Sequence, residues 1–193
     1  MKHGLTACLA ALLWTGAALA QPAVAPAASA VSANAPNAPP ELNALPGARL
    51  VGKARLTVWG FDVYDARLWA PAPFRAGSFG ASALALELVY LRSFQAADIA
   101  ERSLKEMRRS QPVSDAQAAH WKAELLRVIP DVRQGDRITG VHRPGQGAAF
   151  WINGRASGEI PDADFARLFF GIWLSPDTSE PRMRDALLAG SGP

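Results

Sequence analysis

Cysteine is nearly absent from this 193-residue chain: Cys8 is the only one. It lies inside an apolar N-terminal stretch that reads as a removable leader. The remainder therefore has no disulfide, no thiol nucleophile and no thiolate metal site, and an exported chain of this kind must rely on its core. Histidine is scarce too, with His120 and His142 the two beyond His3. Neither has the i, i+4 partner of a metal-binding helix or the acidic neighbour of a triad, so no metal is expected. No phosphate-cradling loop is present, because Gly145-Gln146-Gly147 lacks the third glycine, the lysine and the following helix. Basic blocks are missing as well. The formal charge is only +3 and Arg108-Arg109 is the one adjacent Lys/Arg pair, whereas nucleic-acid binding calls for a basic stripe. No nucleic-acid partner and no cofactor are expected. Long apolar runs are missing: Leu5 to Leu13 falls short of the ~20 residues that span a bilayer, and stable membrane insertion is not expected.

At the start of the chain, Lys2 and His3 precede that short apolar run, and Ala18-Leu19-Ala20 fits a small-x-small cleavage site. Residues 1–20 are thus expected to be a signal peptide that sends the protein to the periplasm or outside the cell. Residues 21–41 are rich in Ala, Pro, Ser and Asn without periodicity, the composition of a disordered spacer. Residues 42–193 are long enough for one domain with a full core.

Within that domain, Ala48–Val51 and Ala54–Trp59 are expected as two extended pieces about a turn at Gly52, and Phe61–Ala70 as a further strand. Leu84–Arg92 alternates cleanly, with Leu84, Leu86, Leu88, Tyr90 and Arg92 on one face. Ser93 is expected to cap a helix to about Arg109. Its apolar stripe is Ala96, Ile99, Ala100, Ser103, Leu104 and Met107, with Asp98, Arg102, Lys105 and Glu106 on its wet face. Ser114-Asp115-Ala116-Gln117 announces a second helix to about Val128. Asp136–His142 is a strand. Asn153-Gly154 then joins two more as a hairpin, since both central residues of a type I′ turn need positive φ. Asp162 can cap a helix through Phe165 and Phe169 that Gly171 is expected to close, and Pro181 opens a last helix. Strands in runs and helices in runs predict an α+β fold, a largely antiparallel sheet covered on one face by helices.

Candidate chemistry is confined to a few residues. Asp62 and Asp65 are close in sequence but are expected on opposite strand faces. Arg55, Tyr64, Tyr90 and Arg92 all fall on strands. A phenol and a guanidinium at the rim of an apolar cavity would suit a carboxylate or phenolate head group. On pattern alone, an arginine whose stem lies along the sheet and tyrosines that simply pack are the favoured reading.

Several blocks resemble the bacterial chalcone isomerase-like proteins. Those blocks are Trp59–Trp69, Tyr90-Leu91-Arg92 before Ile99–Ser103, Pro130 with Gly135-Asp136, and Phe150–Leu174 ending Phe169-Phe170-Gly171-Ile172-Trp173-Leu174. The likeness covers roughly residues 45–188. It implies a chalcone isomerase-like open-faced β-sandwich, with a ligand cleft between a long antiparallel sheet and its helices. In the plant enzymes of this family, an early-strand arginine with a helical tyrosine and asparagine cyclise a chalcone, while non-catalytic members bind fatty acids through an arginine and a tyrosine. Arg55 could hold the arginine position here, and Asp98 and Lys105 stand near those of the tyrosine and asparagine. The resemblance therefore implies a non-catalytic, exported protein that binds a small apolar or amphipathic acid, with Phe165, Phe169 and Trp173 as cleft walls. Two alternatives are an isomerase or intramolecular lyase using Arg55, and an interaction module of the cell envelope recognised through exposed aromatics.

Overall fold

A computed structural model describes residues 39–192. The expected signal peptide lies outside the described residues, as does the spacer up to residue 38. Its last residues fall inside them: Pro40–Ala44 forms a 3-10 turn, and Glu41 is buried against the sheet.

Six antiparallel strands follow one another across a single sheet: β1 (Arg49–Val58), β2 (Phe61–Ala70), β3 (Leu84–Tyr90), β4 (Arg137–Arg143), β5 (Gly147–Ile152) and β6 (Arg155–Ile160). Helices α1 (Ala96–Ser110) and α2 (Asp115–Val128) interrupt the order between β3 and β4, and α3 (Ala163–Leu174) and α4 (Pro181–Leu187) close the chain. Alternation places Ala66, Leu68, Leu84, Leu86, Leu88 and Phe150 on the helix side. There they join Met107, Trp121, Leu125, Phe165, Phe170 and Leu187 in one buried core. The opposite face carries a smaller cluster, Trp69, Ala85 and Val141 beneath Leu42 and Leu45 of the N-terminal turn. The expected α+β fold, with helices on one face of an antiparallel sheet, is the observed one.

Two bulges set details that alternation missed. The first strand is continuous, not broken at Gly52: Leu50 pairs Trp69 and Gly52 pairs Leu68, leaving Val51 as the extra residue. Gly52 serves a close approach instead, because a Cβ there would lie 2.3 Å from the carbonyl oxygens of Ala186 and Leu187 in α4. At the far end Leu56 pairs Tyr64 but Thr57 pairs Asp62, so Val63 bulges out. That extra residue brings Asp62 and Asp65 to the same side, where both bond Arg55, and corrects the expectation that they face apart.

Local signals set several helix ends. Ser114 Oγ accepts from the Gln117 amide at 3.2 Å, and Asp162 Oδ1 accepts from the Phe165 amide at 2.9 Å. Asp162 also accepts from Trp121 Nε1 at 2.8 Å through its other oxygen, tying α3 to α2. Ser93 is not a cap. The chain bends after β3, α1 starts at Ala96, and Asp131 from the loop beyond α2 accepts the Ala96 amide at 2.8 Å. Gly171 does not end its helix either; α3 continues to Leu174, with Gly171 in its interior. The β5–β6 turn is as expected, with φ of 51° at Asn153 and 82° at Gly154.

Candidate functional site

Between β1–β3 and helices α1 and α3 lies a cavity of about 390 Å³. Its floor is Leu56 and Val58 of β1, Tyr64 of β2, and Leu88 and Tyr90 of β3. Ile99 and Ser103 of α1 and Phe169, Ile172 and Trp173 of α3 form the roof, while Ile129 and Ile138 line it between them. Space is left because the α1 stripe is thin here. Ser103 turns its hydroxyl back to the Ile99 carbonyl at 2.8 Å and presents only a small side chain to the sheet. Asp98, Arg102, Glu106 and Glu180 are the cavity's charged lining residues; of these Asp98 and Arg102 are exposed and Glu106 is buried.

The aromatic floor is ordered by edge contacts. Tyr64 and Tyr90 meet at 5.8 Å and 66°, and Tyr90 meets Phe94 at 5.8 Å. The Tyr64 hydroxyl accepts from Trp173 Nε1 at 2.9 Å, which joins β2 to α3 across the cavity. Among the described residues the Tyr90 hydroxyl has no hydrogen-bond partner, although Tyr90 is buried. Burial pushes both phenols well above the usual tyrosine range, so each stays a neutral O–H donor. On the roof the buried Glu106 carboxylate holds Arg102 at 2.9 Å, and Arg109 stands 3.7 Å from its other oxygen. Glu106 thus makes Arg102 part of the cavity wall while the guanidinium stays at the surface.

The structure divides the expected site residues into two sets. Tyr64, Tyr90, Phe169 and Trp173 meet around the cavity. Phe165 does not reach it; it is fully buried one turn earlier, stacked on Phe169 and edge-on to Trp121. Arg55 lies on the opposite face, half exposed and bonded to Asp65 at 2.6 Å and Asp62 at 2.9 Å. This corrects its expected place in the cleft, and from there it cannot polarise a bound molecule. Arg92 is corrected as well: β3 ends at Tyr90, the chain bends, and the guanidinium stacks 4.7 Å over the exposed Phe61 ring. Asp98 borders the cavity and Lys105 is exposed.

Arg102 and Glu106 are the site residues that periodicity missed. Periodicity puts both on the wet face of α1, yet Glu106 is only 8% exposed. Their i, i+4 spacing with opposite charge was the available signal, but it is equally the signature of a solvated helix pair. His142 is also away from the cavity, buried with its Nδ1 2.9 Å from the Ser82 carbonyl. Among the described residues no cluster of His, Cys, Asp or Glu could hold a metal ion, and no helix is long and apolar enough to cross a membrane.

A sheet roofed by helices over a partly open, mostly apolar cavity with one open hydroxyl defines an open-faced sandwich built around an internal cleft. The chain belongs to the chalcone isomerase-like family, whose profile matches residues 49–189. An uncharacterized protein of Haemophilus influenzae is 26% identical over 141 residues, 72% of this chain and 66% of that protein, so the match spans just under two thirds of the relative. The crystal structure of a fatty-acid binding protein from Arabidopsis thaliana superposes with a TM-score of 0.58 at 13% identity. It covers 74% of this chain and 87% of that one, and at this identity the likeness speaks for the fold.

Proposed function

We propose that this protein is an exported, non-catalytic binder of one small amphipathic acid, a fatty or aromatic acid, held between the sheet and α1/α3. The observation that carries the reading is the cavity itself. Its volume of about 390 Å³ falls in the ~300–1,000 Å³ range of small-molecule sites, which are apolar with a few placed polar groups. The tail would lie against Leu88, Ile138 and Phe169. The neutral Tyr90 hydroxyl would donate to the head group, and Arg102 would turn from Glu106 toward a carboxylate at the open end. Arg55, the residue an isomerase reading needs, sits on the far side of the sheet in two ion pairs. The fatty-acid binding described for the Arabidopsis protein of the same fold supports the choice of ligand class.

Titration with cis-parinaric acid, a fluorescent polyene fatty acid, tests this directly. Saturable binding at micromolar concentration, displaced by palmitate, is expected. Ile99→Trp, which fills the cavity from the roof, should abolish it. No saturable signal with the unmodified chain, or undiminished binding by Ile99→Trp, would refute the proposal.

A further inference from the structure

The β1–β2 turn spends conformational energy on an exposed indole. Trp59 adopts φ +49° and Gly60 φ +82°, left-handed positions that Asn or Gly would take at less cost than a bulky residue. Nothing in the fold repays that cost, since Trp59 is 94% exposed. Phe61 follows it, 58% exposed, with the Arg92 guanidinium laid on its ring. Arg92 makes no ion pair among the described residues, whereas its neighbour Arg55 is neutralised by Asp62 and Asp65. The strand residues on either side of this tip, Val58 and Val63, line the cavity, so the tip stands at its edge.

We infer that the Trp59–Phe61 tip docks on a phospholipid bilayer and holds the open edge of the cavity against it, so that the apolar ligand exchanges with the membrane without crossing water. The chemistry fits a bilayer interface on three counts. Indole and phenyl rings on a narrow turn suit the headgroup–acyl boundary, where aromatic side chains concentrate. An unpaired guanidinium beside them meets lipid phosphate. Val58 and Val63 beside the tip line the cavity, so docking would set its apolar lining next to the phase in which an apolar acid dissolves. A protein groove would take the rings equally well, but would not account for their place at the entrance of an apolar site.

The role in exchange rests on the proposed ligand binding; the docking does not, and the experiment reads the two apart. The full chain is sedimented with vesicles of phosphatidylcholine containing a minority of phosphatidylglycerol. Trp59→Ala should weaken the partition about tenfold, because interfacial binding scales with the apolar area inserted. Arg92→Gln should weaken it about fivefold on anionic vesicles and much less on pure phosphatidylcholine. Because these side chains are exposed, both variants should melt with the unmodified chain and bind cis-parinaric acid normally in vesicle-free buffer. Vesicle partition unchanged in Trp59→Ala, or no partition by the unmodified chain, overturns the inference. So does a Trp59→Ala variant that stays on vesicles but loses a co-purifying envelope protein. A chain that binds no cis-parinaric acid yet needs Trp59 to reach vesicles keeps the docking and removes the proposed ligand.

Discussion

On its helix side β2 presents Tyr64, Ala66 and Leu68 to the core and cavity, while on its other side the same strand presents Asp65, Arg67 and Trp69. The outer face is the more charged, and nearly all of its charge is closed on itself. Arg55 holds Asp62 and Asp65, Arg67 lies 3.2 Å from Glu87, and Arg137 lies 3.4 Å from Glu41. Trp69 Nε1 donates to Glu87 at 3.2 Å, and the Thr139 hydroxyl donates to Glu41 at 2.6 Å. The helix side has fewer polar groups, but one of them, the Tyr90 hydroxyl, is left open beside empty space. Paired charge thus marks the framework here, and a neutral hydroxyl open to the cavity marks the candidate site.

The sharpest way to break this contrast is to open the outer network. Glu87→Ala leaves the buried Trp69 indole without its charged acceptor and Arg67 without its partner, and loss of a hydrogen bond to a charged group costs about 1.5–3 kcal/mol. Urea denaturation should show that loss, while the folded fraction keeps its affinity for cis-parinaric acid. On the inner face, Tyr64→Phe leaves Trp173 Nε1 without its acceptor and should cost about 1–3 kcal/mol by the same assay. Tyr90→Phe should be the reverse case. Stability should hold within about 0.5 kcal/mol, and affinity for the polyene acid should fall about tenfold as a hydrogen bond to a charged group is lost.

Acid should separate the two faces further. Burial, only partly offset by the bond to the Ser82 carbonyl, holds the His142 imidazole below its usual range. The folded state then binds fewer protons than the unfolded chain, so this contribution is whole above about pH 6.5 and is lost as pH falls below it. On the outer face the Arg55 hydrogen bond lowers the Asp65 carboxyl, so its contribution persists until pH falls through the ordinary carboxylate range near ~4. Melting temperature should therefore decline in two stages on acidification. His142→Gln should remove the first and leave the second, and calorimetry across that pH range checks it. The smallest effect belongs to Arg55→Ala. A modest fall in melting temperature with unchanged ligand affinity is expected, and lost affinity would place Arg55 at the site after all.

Much of the fold was legible because its signals are local. Asn153-Gly154 needs only its own backbone angles to make a turn, and Ser114 and Asp162 need only the amides three residues on. The bounds of β2 follow from Gly60 before it and Pro71 after it. What was illegible depends on partners distant in sequence. The α1 cap is Asp131, which arrives from the loop after α2, so Ser93 was a reasonable but mistaken choice. Gly52 looked like a turn residue because small size and freedom of φ have the same letter; only the approach of α4 tells that size is in use.

The candidate site divides along the same line. Residue order alone settles that Tyr90, Phe169 and Trp173 lie on inward faces, because strand and helix periods depend on neighbours along the chain, whereas neither face of β2 was apolar enough to place Tyr64. It could not settle the fate of the arginines. Strict alternation fails at Val63, where one extra residue gathers Asp62 and Asp65 around Arg55 on the outer face. A bend after Tyr90 swings Arg92 onto Phe61, and the helix roof turns Glu106 and Arg102 from a wet face into a cavity wall. A bulge, a bend and the spacing between layers arise only when the strands pair and the helices pack. Which charges meet the cavity is therefore a property of the assembled sheet and helices, while which faces are apolar was already written in the order of residues.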